Sequence, residues 1–188
     1  TTTHAGDLHE MMPLLVPLAF YSMHQLTLPR DALRQLRTAA HAVMDARTPD
    51  IVIPTADSGR VYLQRWQLIR SEHVSIYLHR FLASDDDRAL HTHPADSLSV
   101  ILTGSYLEET PADASDPAGA RVRIRRFAGD VVSRQADAPH RIALETDDNG
   151  AEVPAETLFI FGPRTQEWGF WCPDGWREKD DFFARGCA

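Results

Sequence analysis

The sequence predicts an all-β protein, a sandwich or barrel of short strands, with one helix at its front. Two observations lead to this prediction. Apolar residues recur at helical spacing in a single early segment, and the chain after Pro49 divides into short β-prone segments separated by turn residues. Many short strands at near-regular intervals are typical of sandwiches and barrels, and 188 residues suffice for one ordinary domain.

The helix is predicted over Pro29 to Arg47. Its apolar residues lie three or four positions apart, and they are Leu33, Leu36, Ala40 and Val43. Proline is tolerated in a first helical turn, and Asp31 suits the positive end of the helix dipole. We expect this helix to pack outside the sheet, within an N-terminal extension of residues 1–50.

A series of β-prone segments follows, in a predicted barrel of residues 51–176 before a C-terminal tail of residues 177–188. Turn-forming residues separate the segments, as in the Pro-, Ala-, Asp- and Gly-rich loop 110–119. The predicted strands are 61–69, 74–82, 91–93, 97–102, 121–127, 131–132, 141–146, 157–161 and 166–172. Four polar residues, 85–88, are predicted to form an exposed turn.

The composition limits which classes of binding partner and which cellular compartment are expected. Lys and Arg number 19 against 27 Asp and Glu, and the net charge of −8 disfavours nucleic-acid phosphates and anionic membranes as partners. Two cysteines, Cys172 and Cys187, are too few for a disulfide framework or a Cys-rich zinc site. A single bridge between them is one alternative, but a free thiol in a loose tail is the simpler interpretation. We therefore predict a cytoplasmic protein.

Three histidines are the candidate chemical centre. His91-Thr92-His93 places two imidazoles two residues apart, and alternate residues of a strand face the same side, so both rings would point into one space. Such a short motif also arises by chance. His140, the third, lies 11 residues after Gly129, near the start of another predicted strand.

The spacing around these histidines resembles the cupin family. The stretch HTHPADSLSVILTG matches the first cupin motif at His91, His93 and Gly104, and GDVVSRQADAPH matches the second at Gly129 and His140. The resemblance implies a double-stranded β-helix, or jelly-roll, barrel. Further segments, SVILTGSYLEE and FGPRTQEWGFWCPDGW, are similar to a group of small single-domain bacterial and phage cupins.

One departure from the cupin motif concerns the metal ligands. The glutamate of the first motif is replaced by Ser97, and strand parity turns the neighbouring Asp96 away unless a β-bulge intervenes. The resemblance therefore implies a metal site of His91, His93 and His140, with Asp96 or a water-bridged Ser97 as the candidate for a further ligand. A metal-free barrel with hydrogen-bonded histidines is the alternative.

A three-histidine cupin site resembles that of thiol dioxygenases and of some ring- or diketone-cleaving dioxygenases, which use Fe(II). It implies a mononuclear non-haem Fe(II) oxygenase acting on a small polar molecule, although Zn, Ni, Mn or Co would fit the same ligands. A redox-neutral isomerase or decarboxylase and a non-catalytic ligand-binding module are the alternatives. Small barrels often pair through an exposed sheet, so a homodimer is compatible with the sequence.

Four more residues are candidates for substrate binding or catalysis. Arg164 and Trp168 lie near a late strand, and an arginine beside the cavity would clamp a carboxylate through two hydrogen bonds. The phenol of Tyr106 would act as an acid or hydrogen-bond donor. Only one of His79 and Arg80 can face inward on its strand, and we favour Arg80. For each residue, core packing or a surface ion pair is the alternative.

Overall fold

The computed structural model describes residues 26–55, 58–85 and 89–187. The elements of these ranges are, in chain order, β1 (Leu26–Thr27), α1 (Arg30–Ala46), β2 (Ile51–Pro54), β3 (Val61–Arg70), β4 (Ser75–Phe81), β5 (Leu90–His91), β6 (Ser97–Thr103), β7 (Ser105–Pro111), β8 (Arg121–Phe127), β9 (Asp130–Arg134), β10 (Arg141–Leu144), β11 (Ala155–Phe161), β12 (Gly169–Cys172), β13 (Gly175–Glu178) and α2 (Lys179–Arg185). Neither described helix combines the length and the hydropathy of a membrane span. Residues 1–25 of the predicted N-terminal extension lie outside the described residues.

Three antiparallel sheets build the protein. The largest has the strand order β1-β9-β6-β11-β4-β3-β2 and packs against a smaller sheet of order β10-β7-β8, while β13-β12-β5 form the third. Neighbours in the large sheet come from distant parts of the chain, such as β6 between β9 and β11, because the chain crosses between the facing sheets. This is the double-stranded β-helix that the resemblance to cupins implied.

The period-two alternation of the large sheet divides its apolar residues between two layers. Val100 and Leu102 of β6 lie in one cluster with Met44 of α1, which covers the outer face. Ile101, between them, lies in a second cluster with Tyr106 of the facing sheet. The outer layer therefore carries the predicted helix, and the inner layer surrounds the space between the sheets.

The C-terminal segment differs from the prediction. Residues 179–185 form α2, and Phe182 of this helix stacks on Phe170 of β12 with 3.8 Å between the ring centroids. This packing folds the chain back, and Cys187 forms a disulfide with Cys172 across a Cα–Cα distance of 5.2 Å. The free-thiol interpretation is wrong, and the prediction of a cytoplasmic protein loses the support of a reduced cysteine pair.

Candidate metal centre

Backbone pairing brings the histidines of the two motifs together. His91 ends β5, and His140 lies just before β10. The two residues form an isolated antiparallel bridge, in which each N–H donates to the other's carbonyl at 2.9 and 3.0 Å. His93 is held two residues further on, where its N–H donates to the carbonyl of Ala136 at 2.9 Å. Local hydrogen bonding thus aligns segments that lie almost 50 residues apart in the chain.

The side chains of His91, His93 and His140 converge. One potential ligand atom from each ring lies within 4.8 Å of those of the other two, and no other three His, Cys, Asp or Glu residues in the described ranges form such a group. The Nε2 atoms of His93 and His140 are 3.3 Å apart. Two nitrogens that each lie about 2.1 Å from one ion are roughly 3.0–3.4 Å apart. The geometry of the pair therefore fits a shared metal ion.

The environment keeps all three rings neutral. Burial lowers the pKa of His91, and it lowers the pKa values of His93 and His140 well below their usual range. The positive charge of Arg134 lowers the pKa of each ring further, although Asp85 acts in the opposite direction on His91. A neutral imidazole is the form that binds a metal, so protons compete little at neutral pH.

A buried carboxylate faces the outer nitrogen of His91. Asp85 Oδ2 lies 3.8 Å from His91 Nδ1, which is buried and makes no hydrogen bond to any described residue. Asp85 itself accepts hydrogen bonds from the Ile142 amide at 2.7 Å and from the Tyr62 hydroxyl. A fixed carboxylate behind an imidazole is the arrangement that orients metal-binding histidines in other proteins.

The three histidines line a cavity of about 410 Å³ between the sheets, a size typical of small-molecule sites. Its aromatic wall consists of Tyr62, Phe81, Phe159, Phe161, Trp168, Phe170 and Phe183. Besides the three histidines, its polar side chains are Arg65, His79, Asp85, Ser99, Tyr106, Arg134 and Thr157. The cavity is thus mainly apolar, with a few polar groups that can orient a ligand.

Two of the four further candidates line this cavity. Tyr106 is fully buried, and its hydroxyl lies beside the guanidinium of Arg134 without a hydrogen bond of standard geometry to any described residue. Trp168 lies with its ring centroid 5.7 Å from that of Phe170 and 6.4 Å from that of Phe183. Tyr106 is therefore available to a ligand, while Trp168 belongs to the aromatic wall.

The two arginine candidates lie elsewhere. On β4, His79 and Phe81 share the inner face, so Arg80 points outward, where it donates to Glu156 at 2.8 Å. Arg164 is exposed and pairs with Glu167 at 2.5 Å. The expectation that these two arginines face the cavity is wrong, because one has the opposite parity and the other lies at the surface.

The candidates for a fourth ligand also lie outside the cavity. Asp96 is exposed, and its carboxylate accepts a hydrogen bond from the Ala136 amide at 2.8 Å. Ser97 is buried but does not line the cavity. Among the residues that the structure describes, neither is brought to the three histidines.

Several cavity residues escaped the sequence analysis. Arg134 lies two residues after Val132 and Arg65 two residues after Leu63, so strand parity with these apolar residues would have placed both arginines inside. Asp85 is buried, which contradicts its prediction as part of an exposed turn; residues 86–88 of that turn lie outside the described residues.

No protein-family model matches the chain, and no curated protein does. Solved structures that resemble it include a conserved protein with a double-stranded β-helix domain from Klebsiella pneumoniae, at 12% identity over 63% of this chain and 89% of that one, with a TM-score of 0.43. Another is a cupin superfamily protein from Desulfitobacterium hafniense, at 16% identity over 60% and 98%, with a TM-score of 0.40. A third is a DMSP lyase from Ruegeria pomeroyi, at 20% identity over 74% and 66%, with a TM-score of 0.45. Because the sequence identities and TM-scores are this low, the comparisons do not indicate the substrate or the reaction of this chain. The strand order of this chain is that of a double-stranded β-helix, and three histidines converge in its cavity.

Proposed function

We propose that this chain is an enzyme that holds one divalent metal ion on His91, His93 and His140. The observation behind the proposal is the convergence of three neutral imidazoles in a mainly apolar cavity, where His140 is buried and His91 and His93 are partly buried. Three neutral ligands would leave the ion its full +2 charge and two or three open positions. The 3.3 Å separation of His93 and His140 also suits a hydrogen bond between two neutral rings, so metal analysis is the decisive measurement.

The proposed ion is Fe(II), and the proposed reaction is the oxygenation of a small polar molecule. Bound Fe(II) would supply the electrons that the activation of O₂ requires. Imidazole donors suit Fe(II) but also Zn, Ni and Co. The choice of Fe(II) therefore rests on the resemblance of a three-histidine cupin site to dioxygenases.

Residues of the chain would orient the substrate and exclude water. Phe159 and Phe161 lie against His93, with ring centroids 6.0 and 5.4 Å from that of the imidazole. Burial raises the pKa of Tyr106, so its hydroxyl stays protonated at neutral pH and can donate a hydrogen bond or a proton to a ligand. Asp85 would hold the orientation of His91.

A redox-neutral reaction, an isomerisation or a decarboxylation, is the second candidate. It is favoured by proton-transfer groups inside the cavity, namely the Tyr106 hydroxyl and the Tyr62–Asp85 pair. In that reaction the ion would act as a Lewis acid, and O₂ would play no part.

Metal analysis of untagged protein tests the site. We expect about one divalent ion per chain, and loss of that ion in each of the variants His91→Ala, His93→Ala and His140→Ala. His73→Ala removes an exposed imidazole and serves as the control that keeps its metal. Full metal content in all three cavity variants would reject the site.

Oxygen consumption separates the candidate reactions. Protein loaded anaerobically with Fe(II) is mixed with small carboxylic acids that carry a second N, O or S donor, and air is then admitted. Consumption of O₂ that accompanies conversion of one acid supports the oxygenase, and conversion without O₂ supports the redox-neutral enzyme. An acid that binds but is recovered unchanged after long incubation is the result expected of a non-catalytic binding module.

A further inference from the structure

Helix α2 lies at the mouth of the cavity. Phe183 of this helix lines the cavity together with Trp168 and Phe170, yet Phe183 is 66% exposed to solvent. A side chain that faces both the cavity and the solvent marks an opening between them. The neighbouring Phe182 stacks on Phe170, whose ring centroid lies 5.9 Å from that of His91. The helix therefore covers a route from the solvent to one of the three histidines.

Noncovalent contacts hold this helix only weakly. It has seven residues, all of them at least partly exposed, and a helix this short is not stable in water by itself. Its ion pairs, such as that of Arg185 with Asp181, are exposed, and exposed pairs contribute little to stability. The stronger attachments are the stacking of Phe182 and a hydrogen bond from Arg177 to the Gly186 carbonyl. We therefore expect the position of α2 to depend on a covalent link.

The disulfide supplies this link, and its two sulfurs differ in exposure. Cys187 lies two residues after α2 and is joined to Cys172 of β12. Cys172 is fully buried, whereas Cys187 is partly buried and lines a second pocket of about 350 Å³, beside Trp171 and Phe182. Thiol–disulfide exchange begins when a thiolate attacks a sulfur that it can reach. A small thiol in this pocket therefore meets Cys187 and not Cys172.

We propose that the disulfide is a reducible tether, that a small thiol opens it by attacking Cys187, and that its reduction releases α2 and opens the cavity to solvent. The attacking thiolate forms a bond to Cys187 Sγ, the S–S bond breaks, and Cys172 leaves as a thiolate that takes a proton from water. A second thiol displaces the first from Cys187. Two thiols thus supply two electrons and leave as one disulfide. The proposal concerns access to the cavity and does not depend on the proposed metal or reaction.

Two measurements on metal-free protein, prepared with EDTA, test the release of α2. Hydrogen exchange followed by NMR reports the Gly186 amide, which donates to the Phe182 carbonyl at 2.7 Å in the last turn of the helix. Diethyl pyrocarbonate modifies neutral imidazoles, so tandem mass spectrometry gives the rate at which it reaches His91 and His93, relative to the exposed His73. Because no metal is bound, neither rate depends on whether the histidines are ligands.

The variants separate the tether from the ring that covers the opening. Cys187→Ser removes the disulfide without a reductant, and Phe183→Ala removes the ring but keeps the disulfide. Phe127→Ala, which removes an exposed phenylalanine of β8, is the matched control for the loss of a ring. Wild type in urea, at the concentration that matches its free energy of unfolding to that of Cys187→Ser, is the control for lower global stability.

In Cys187→Ser we expect exchange at Gly186 and modification of the two cavity histidines to be at least about tenfold faster than in wild type. In Phe183→Ala only the modification should be faster, and Phe127→Ala should keep both wild-type rates. Modification within twofold of the wild-type rate in Cys187→Ser or in Phe183→Ala overturns the proposal. Equal rates in Cys187→Ser and in the urea control assign the effect to lost stability and overturn it too.

Glutathione is the probe for the attacking thiol. Oxidised wild type is mixed with it and quenched in acid, and mass spectrometry maps the mixed disulfide. We expect at least about tenfold more adduct on Cys187 than on Cys172, because only Cys187 lines the second pocket. An adduct mainly on Cys172, or a native disulfide that glutathione does not open, overturns the proposal. If Cys187→Ser does not fold, wild type reduced with glutathione and desalted without air replaces it, under the same criteria.

Discussion

Replacing Glu108 by Gln should destabilise the protein strongly. Glu108 is 2% exposed and accepts hydrogen bonds from Arg126 at 2.7 Å and from Arg134 at 2.5 Å, and both arginines are buried. The substitution keeps the shape of the side chain and removes its charge. Two buried guanidinium groups would then lie beside one another without the carboxylate between them.

The expected loss follows from this geometry. Removing one partner of a buried ion pair costs about 3–5 kcal/mol, because the remaining charge stays out of water. For a chain of 188 residues, 1 kcal/mol corresponds to about 2–4 °C, so the melting temperature should fall by about 6–20 °C. Burial alone would raise the pKa of Glu108, but Arg134 and Arg126 more than offset it, and the pKa is lowered. The stabilisation is therefore complete above the pKa of an unfolded glutamate, about 4.3, and is lost as the pH falls through the folded-state value.

The control is Glu167→Gln, which breaks an exposed ion pair with Arg164 at the same distance of 2.5 Å. Exposed pairs contribute about 0–1 kcal/mol, so the contrast isolates the effect of burial. Urea unfolding at pH 7.5 measures both variants. Free energies of unfolding that agree within about 1 kcal/mol between the two variants would refute the reasoning.

Three other predictions follow from the fold. Reducing the disulfide between Cys172 and Cys187, which lie 15 residues apart, should lower the free energy of unfolding by about 3 kcal/mol, measured by urea unfolding with and without reductant; no change would contradict this. The free energy of unfolding should decline as the pH falls below about 6.5, because four histidines whose pKa values are lowered in the folded protein bind protons more readily in the unfolded chain. These histidines are His79, His91, His93 and His140. Equal free energies of unfolding at pH 7.5 and 5.5 would refute the prediction. We also propose a homodimer through β8, which is an edge strand of its sheet and carries the exposed side chain of Ile124. Light scattering should show a dimer for wild type and a monomer for Ile124→Lys. A monomeric wild type would contradict the proposal.

The parts of the fold that could be predicted are those with a local signal. Helix α1 was placed to within one residue at each end, because its apolar spacing repeats every three or four positions. The bounds of strand β8 were predicted without error, because its arginines alternate with apolar residues, which is the period of a strand and not of a helix. The meeting of His91 and His140 was implied by the resemblance of their segments to the two cupin motifs and not by a local signal.

Orientation could not be predicted where both faces of a strand are buried. On β4, Leu78 packs in the cluster beneath α1 and Phe81 packs in the inner cluster, so no polar face marks the outside. Without that contrast, the choice between His79 and Arg80 has no local basis. The disulfide of Cys187 likewise had no local signal, because it depends on the packing of α2 and not on the neighbours of Cys187 in the sequence.

The polar groups of the cavity come from different sheets, and this has a consequence for how they can be tested. His91 ends β5 of one small sheet and His140 lies just before β10 of another, and a single backbone bridge aligns them. Arg65 and Arg134 belong to the large sheet and are held by contacts that include none of the three histidines. Arg65 and His93 nevertheless share a neighbour, because Phe159 stacks on His79, which accepts the Arg65 hydrogen bond, and also lies against His93. The effects of Arg65→Met and His93→Ala on the free energy of unfolding of the metal-free protein should therefore depart from additivity by at least about 0.5 kcal/mol, and effects that add to within that amount would contradict the coupling.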